Sequence, residues 1–207
     1  WAGRKPYPDR YPERWDEPAY RHASEKNRTK GIAIDLVPIH RSSELLGTMN
    51  MVFFSPEDLT IIKNSPAERR NFMDMELCQL DKIYVSELAG YKKVLDQRNN
   101  LLRQISFDKS KLDMLSVWND QLVKYGIEII KKRNHFIDLL NEIIPDIHKN
   151  LTSGKEKLTL VYEKNVETES FFSMLDEKQE SDIKNQTTQT GPHRDDIIFL
   201  VNDMDVR

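Results

Sequence analysis

Residues 54–74 read Phe54-Ser55-Pro56-Glu57-Asp58-Leu59-Thr60-Ile61-Ile62-Lys63-Asn64-Ser65-Pro66-Ala67-Glu68-Arg69-Arg70-Asn71-Phe72-Met73-Asp74, and they place two helix-start signals in succession. Ser55 and Ser65 each precede a proline and stand three residues before an acid, which is the pattern of an N-cap with proline at the first helical position. The stretch therefore predicts a short helix from Pro56 and a long helix from Pro66.

The apolar residues after Pro66 predict two long helices. They recur at alternating spacings of three and four, with Arg98 as the one exception, at Met73, Leu77, Leu80, Tyr84, Leu88, Tyr91, Leu95, Leu102 and Ile105. A helix of that length would extend on the order of 60 Å. A polar break at 106–110 precedes a second stripe at Leu115, Trp118, Leu122, Tyr125, Ile129, Phe136, Leu140, Ile143 and Ile147. We expect the two helices to pack as an antiparallel hairpin, and we expect Pro145 to kink or end the second one near Ile144.

The segments on either side of the hairpin predict strands. Residues 31–54 read as a strand, a short helix and a buried strand, and residues 157–162 and 197–201 each predict one strand. Residues 163–190 are rich in polar residues and predict a mobile connector with a short helix at 171–175. Residues 1–27 contain four prolines and predict irregular structure, to which we assign no function.

The composition excludes several classes of protein. The chain has 207 residues, 38% of them apolar, and a net charge of −3, so it can bury a core but has no overall basic character of the kind that duplex binders show. Its single cysteine, Cys78, cannot form an internal disulfide and has no neighbouring ligands at metal-site spacing, which fits a reducing cytoplasm. No apolar run is long enough to span a membrane.

Near the other end, Gly191-Pro192-His193-Arg194-Asp195-Asp196 forms a turn that presents a charged cluster just before a predicted strand. The two aspartates precede the strand rather than follow it, which makes them poor magnesium ligands. The sequence contains neither Gly-x-x-x-x-Gly-Lys-Ser/Thr nor Gly-x-Gly-x-x-Gly, so it lacks a loop that could bind nucleotide phosphates through successive backbone amides.

These two stretches, residues 54–74 and Gly191–Asp196, resemble the RecF family of bacterial recombination and replication-repair proteins, which carry an SMC-like ABC-type ATPase head. The resemblance covers roughly residues 28–207 and corresponds to the middle of a family member. The family's phosphate-binding glycine loop is expected upstream, and its signature and Walker B motifs downstream. Asn64 stands where RecF-like sequences usually have glycine, and we expect the turn to survive because asparagine tolerates positive φ.

The resemblance implies an α+β fold in which a strand-containing part of an ABC/SMC-type ATPase head is interrupted by a long antiparallel helical arm. The implied organisation is a partial head lobe at 28–64, a helical hairpin arm at 65–156, a strand plus polar connector at 157–190, and a return to the head at 191–207. The family-motif residues with structural roles would be Ser55, Pro56, Glu57, Asp58, Ser65, Pro66, Asp74, Gly191 and Pro192.

The same resemblance implies a function. A full-length member would be a slow, DNA-dependent ATPase that binds ATP and Mg²⁺, dimerises through its heads when ATP is bound, and binds single-stranded or gapped duplex DNA. With other recombination-mediator proteins it would support recombinase loading at gaps and the SOS response in the cytoplasm. This segment alone is expected neither to bind ATP nor to be catalytic, and no membrane partner is expected.

Four cationic residues are candidates for contact with the nucleotide or DNA. One of Arg69 and Arg70 would contact a phosphate of ATP or DNA through its guanidinium group. His193 and Arg194 would face the nucleotide or a partner subunit across a head-to-head dimer. In the alternative, His193 and Arg194 form a polar turn that satisfies backbone groups, and the arginine pair anchors the arm to the head by pairing with Glu68, Asp74 or Glu57.

A different class of function is an autonomous helical-hairpin module that binds a protein partner without DNA or nucleotide. The two interpretations differ in whether residues 55–74 and 191–196 meet in space. The RecF-like interpretation requires this contact, whereas a free-standing hairpin leaves the two segments unconstrained. A hydrolase within residues 163–190 has no motif to support it.

Overall fold

The computed structural model describes residues 32–34, 37–39, 55 and 60–207. The chain divides into two compact units, residues 1–48 and 49–207. Several predictions lie outside the described residues: irregular structure at 1–27, a short helix at 42–47, a buried strand at 49–54, and the first turn of the helix after Ser55 with its motif residues Pro56, Glu57 and Asp58.

In the first unit, two short strands form an antiparallel hairpin. Strand β1 spans Ile32–Ile34 and β2 spans Val37–Ile39, with Ala33 opposite Pro38. The prediction of one continuous strand here was wrong. The alternation of apolar residues continues through the chain reversal, so the pattern does not reveal it.

In the second unit, the predicted first long helix is two helices. Helix α1 spans Pro66–Leu80 and α2 spans Lys82–Ile105. Between them Asp81 is extended, with φ −139° and ψ 107°, and its side chain accepts a hydrogen bond of 2.8 Å from the Ile83 amide. Asp81 also binds Lys132 Nζ at 2.6 Å. By capping a new helix and pairing with a neighbouring one, Asp81 favours a break over a continuous helix. The spacing of apolar residues does not predict this break, because it continues unchanged across Asp81.

Helix α3, Leu115–Thr152, packs antiparallel on α2, as predicted. The antiparallel direction follows from two cross-contacts, Arg98 with Asn119 near the turn and Tyr84 with Arg133 farther away. A 3₁₀ helix at Lys109–Met114 completes the turn. The helix passes through Pro145, so of the two predicted outcomes an end near Ile144 was wrong, and a kink there stays a prediction. Ile144 packs against the core there, and packing of this kind can outweigh one lost backbone hydrogen bond.

Three antiparallel strands pack beside α3: β3 at Leu158–Glu163, β4 at Asp196–Val201 and β5 at Met204–Asp205. Strand β3 pairs with β4 from Leu158 opposite Val201 to Glu163 opposite Asp196. Asn141 of α3 joins the helix to the sheet, because its amide donates to the Leu160 carbonyl at 2.7 Å and its oxygen accepts from the Leu160 amide at 2.8 Å. The predictions of both strands, and of the α+β class, are confirmed.

The predicted short helix at 171–175 is confirmed, but the prediction that the rest of 163–190 is a mobile connector was wrong. Helix α4 spans Phe171–Glu177 and α5 spans Gln179–Asn185, and the side chains of Phe171 and Leu175 are fully buried. Gly126 of α3 makes room for the Phe171 ring, since a Cβ at that position would lie 2.4 Å from Phe171 Cε1. A few well-matched apolar residues thus fold a stretch whose composition is mostly polar.

Among residues 60–207 and the two short strands, none of the helices combines the length and apolar character that a membrane crossing requires.

Candidate functional site

Buried ion pairs join the start of α1, the middle of α3 and the start of β4. We call this group, formed by Arg69, Asp74, Arg133, Asp195 and Asp196, the arm-base cluster. All five residues are buried, with at most 8% of their surface exposed. Charges so far from solvent are stable only when they are paired and hydrogen-bonded, and here every one is.

Arg69 joins three parts of the chain. Its Nε and Nη2 donate to the two carboxylate oxygens of Asp196 at 2.7 and 2.8 Å, a bidentate pair across 127 residues of sequence. Its Nη1 donates to the carbonyl of Ile62 at 3.0 Å and to that of Asn64 in the turn before α1. The guanidinium of Arg69 is therefore fully used within the chain. Of the acids that we named as alternative partners, Glu68 and Asp74 do not pair with Arg69, because its carboxylate partner is Asp196, and Glu57 lies outside the described residues.

Arg133 is the centre of the cluster. Its Nη2 donates to Asp74 Oδ1 at 2.8 Å, and its Nη1 donates to the Pro192 carbonyl at 2.7 Å and to Asp195 Oδ2 at 3.3 Å. The hydroxyl of Tyr84 donates to Asp74, and that of Tyr162 donates to Asp195. This arrangement fixes the motif residue Asp74 against the Gly191–Asp196 turn.

The two aspartates of the turn differ in acidity. Burial raises the pKa of Asp195, and hydrogen bonds from the Asn165 amide and Tyr162 and the charge of Arg133 offset this only in part. Burial also opposes ionisation of Asp196, but hydrogen bonds from Arg69 and the Ile197 amide hold its pKa below the ordinary value. Both aspartates are engaged by arginines and backbone amides.

The other three candidate cations occupy different environments. His193 has both ring nitrogens engaged: Nε2 lies 3.0 Å from the Thr188 carbonyl and so donates to it, which leaves Nδ1 to accept from the Tyr91 hydroxyl at 2.7 Å. Burial and the nearby arginines lower the pKa of His193 to about 4. Arg70 is half-buried and donates to the Asp195 carbonyl at 2.7 Å. Arg194 is exposed and reaches only the Thr188 carbonyl, at 3.4 Å, within the described residues.

The motif residues around these groups shape the backbone. Helix α1 begins at Pro66, as predicted, but the side chain of Ser65 makes no capping hydrogen bond. The Ser65 carbonyl instead accepts from the amides of Glu68 and Arg69. Asn64 does not adopt the positive φ that we expected, and its amide donates to Thr60 Oγ1 at 2.8 Å. Gly191 has φ 134°, and a Cβ there would lie 2.5 Å from the Tyr91 hydroxyl, so the turn before Pro192 requires glycine.

Sequence reasoning missed Arg133 and did not explain Arg98. Arg98 is fully buried and donates to Asn119 Oδ1 at 2.8 Å, to Asp182 Oδ2 at 2.7 Å and to Thr188 Oγ1 at 2.8 Å. We call these four residues the Arg98 cluster. Each arginine lies on the apolar face of its helix. A charge at a core position was the signal that could have identified both residues.

Residues 60–74 and 191–196 thus meet at the base of the hairpin, which is the contact that the RecF-like interpretation required. The comparisons with known proteins agree. The chain is 56% identical over 182 residues to the DNA replication and repair protein RecF of Lachnoclostridium phytofermentans, and 53% identical to that of Agathobacter rectalis. The chain belongs to the RecF family. Each alignment covers 88% of this chain but about half of the relative, 51% and 50% respectively.

Solved structures of RecF share the fold. One, described as the recombination mediator protein RecF-ATPrS in the RecFOR pathway, superposes with a TM-score of 0.82 at 31% identity, over 91% of this chain and 53% of that protein. A second, described as RecF-ATP, gives a TM-score of 0.79 at 32% identity, over 86% and 50%. No protein-family model matches the chain.

Proposed function

We propose that this chain forms the arm and the adjoining part of the head of a RecF protein that acts in DNA replication and recombinational repair. The observation that carries the proposal is the bidentate pair between Arg69 and Asp196, which joins the start of the arm to the motif before β4. A free-standing hairpin module would need no such junction. In the proposed organisation, residues 28–64 and 191–207 belong to the head, residues 65–156 form the arm, and residues 157–190 connect them.

The proposed activity belongs to the whole protein. In the cytoplasm, its heads would bind ATP and then dimerise on single-stranded or gapped DNA. With other mediator proteins, the whole protein would support recombinase loading and the SOS response. This chain's contribution would be to hold the arm at a fixed angle to the head. The arm-base cluster supports that role because its buried pairs leave the start of α1 little freedom to move.

The residues present do not fit ATP or Mg²⁺. The sequence has no glycine-rich phosphate loop, and within the described residues no group of three His, Cys, Asp or Glu side chains could hold a metal ion. The acids of the arm-base cluster are used by arginines. We therefore assign no residue of this chain to either group.

Of the four cationic candidates, Arg194 is the one that we propose to contact a DNA phosphate. Its guanidinium is exposed, and no carboxylate lies within salt-bridge distance of it in the described part of the chain. Arg69 and His193 have structural roles inside the fold. An Arg69→Ala variant would therefore test stability rather than DNA contact.

A salt titration of DNA binding tests the proposal. Binding of the chain to single-stranded, duplex and gapped oligonucleotides is measured over a range of salt concentrations, for the unsubstituted protein, Arg194→Gln and Lys155→Gln. Loss of one phosphate contact reduces the slope of log K against log salt by about 0.7 to 0.9. We expect that loss for Arg194→Gln and none for Lys155→Gln, whose side chain is exposed in the turn after α3.

Two results would contradict the proposal. Equal slopes for Arg194→Gln and the unsubstituted protein would remove Arg194 from the DNA contact. Absence of binding to all three oligonucleotides at low salt would remove DNA contact from this part of a RecF protein and favour an architectural role.

A further inference from the structure

A cleft of about 200 Å³ opens beside the arm-base cluster, between α1, α2, α3 and the turn at Pro192 and His193. Its walls are mostly apolar and include Leu88, Leu95, Ile129 and Pro192. Sites for drug-sized ligands measure roughly 300–1,000 Å³. The cleft therefore suits one or two side chains rather than a nucleotide.

The cleft carries an excess of positive charge. Asp74 and Arg133 both line it, and they neutralise each other. Arg70 and Lys92 also line it, and neither has a carboxylate within salt-bridge distance among residues 60–207. His193 contributes no charge near neutral pH, because burial keeps its imidazole unprotonated.

Arg70 is the less satisfied of the two cations. Its single hydrogen-bond partner in the described part of the chain is the Asp195 carbonyl, which leaves its other donors unused. The nearby acids already have cationic partners: Asp196 binds Arg69, and Asp195 shares Arg133 with Asp74. Burial and the charge of Arg133 lower the pKa of Arg70, and the charges of Asp196 and Asp195 offset this only in part. An anionic group of another molecule would accept hydrogen bonds from the unused donors of Arg70 and would also place a negative charge next to its guanidinium.

The mixture of apolar walls and unpaired cations identifies the occupant. A phosphate of a nucleic acid would meet the cations, but it would also place charged oxygens against apolar side chains, which is costly. A carboxylate next to an apolar side chain matches both surfaces, and Arg is well suited to hold a carboxylate by two hydrogen bonds. We propose that this cleft binds a segment of a partner protein in which an Asp or Glu lies beside an apolar residue. The acid would bind Arg70 and Lys92, and the apolar side chain would pack on Leu88, Leu95 and Ile129.

This site goes beyond the proposed role at DNA, since it requires neither nucleic acid nor ATP. It also lies on residues other than Arg194. The two proposals can therefore fail independently.

A peptide array on the whole chain tests the site. The probes are acetylated, amidated hexapeptides with glycine at the ends and every pair of residues at the two central positions, incubated with the labelled protein. The variants are Lys92→Gln, whose exposed position makes a folding defect unexpected, and Arg70→Gln. The matched control is Lys93→Gln, which is exposed on the next position of α2 and does not line the cleft.

We expect binding to concentrate on peptides that pair Asp or Glu with an apolar residue, and to fall about tenfold when the acid is replaced by its amide. Lys92→Gln and Arg70→Gln should each reduce it severalfold, and Lys93→Gln should not. The proposal would be overturned by no preference for acids over amides, by no binding at all, or by Lys92→Gln and Arg70→Gln variants that bind as tightly as the unsubstituted protein. Displacement of the peptides by inorganic phosphate or a short single-stranded oligonucleotide with equal potency would also overturn it, in favour of a phosphate site.

Discussion

Two buried arginines, Arg133 at the base of the arm and Arg98 farther along the hairpin, solve the same problem differently. Arg133 has two carboxylate partners, Asp74 and Asp195, and each of these also accepts from a tyrosine. Arg98 has one carboxylate partner, Asp182, and its Nη2 is buried without a hydrogen-bond partner in the described residues. In the arm-base cluster several hydrogen-bonded groups thus surround Arg133, whereas in the Arg98 cluster the arginine depends on a single carboxylate.

The difference follows from what each arginine connects. Arg133 holds α1, α3 and the turn before β4 together, so it sets the geometry of the junction on which our functional proposal depends. Arg98 attaches α5 and Thr188 to the helical hairpin, and so it folds the polar stretch onto the arm. Loss of the first should disturb the whole unit, and loss of the second should release one segment.

Replacement of Arg133 by methionine should have the largest effect. Arg133→Met leaves two carboxylates buried without their cation, and removal of one partner from a buried pair typically costs about 3 to 5 kcal/mol. We expect a loss near the upper end, about 5 kcal/mol, in urea unfolding followed by circular dichroism. The control is Arg194→Gln, an exposed neighbour of the same turn, which should change the free energy of unfolding by less than about 0.5 kcal/mol. A loss for Arg133→Met no greater than that of the control would mean that the network does not hold the base.

The Arg98 cluster should show a smaller, partly recoverable loss. Arg98→Met leaves one buried carboxylate, and we expect a cost of about 3 kcal/mol. In Arg98→Met/Asp182→Asn the stranded charge is removed, while the amide oxygen can still accept from the Gln189 amide, so about half of the loss should return. Unfolding measurements on the two single variants and the double variant give the coupling energy. Strictly additive losses would contradict a direct pairing between Arg98 and Asp182.

Hydrogen exchange of the Arg98→Met variant tests whether the structural role of Arg98 differs from that of Arg133. In Arg98→Met we expect faster exchange confined to α5 and its flanks, because only that segment depends on the pair. Faster exchange throughout α1, α3 and β4 would instead make the Arg98 cluster a determinant of the whole unit, and the contrast with Arg133 would disappear.

The same contrast explains how much could be predicted from the sequence. The helices and the strands at 158–163 and 196–201 followed from apolar periodicity, which is a local property. The break at Asp81 did not, because the stripe continues across it. The folding of residues 163–190 beyond the predicted helix at 171–175 did not either, because it depends on the close packing that Gly126 allows and on the cation at Arg98, both distant in sequence.

The location of the candidate site could be predicted from the sequence, but Arg133 at its centre and the partners of the cationic residues could not. Arg69, Arg70, His193 and Arg194 were identified from two local stretches, and they do lie close together. Their partners come from up to 127 residues away, and periodicity carries no information at that distance. The predicted contact of these residues with nucleotide or DNA stays a prediction.

The smallest effect should come from His193, which links the two clusters. It donates to the Thr188 carbonyl beside Arg98 and follows Pro192, whose carbonyl accepts from Arg133. Its pKa is about 4 in the folded protein and about 6.5 in the unfolded chain. Between these values the unfolded chain binds a proton that the folded protein does not, so stability is present above pH 6.5 and is lost as the pH falls toward 4.

From pH 7 to pH 5 this difference corresponds to a loss of about 2 kcal/mol attributable to His193. Urea unfolding at the two pH values should therefore show a decrease in stability that is smaller by about that amount in His193→Gln. Because the raised pKa of Asp195 acts in the opposite direction, the comparison uses the difference between the two proteins rather than either slope alone. If His193→Gln kept the full decrease, the imidazole would titrate alike in the folded and unfolded states, and at pH 5 it would be protonated in the fold, where its Nδ1 could not accept from Tyr91.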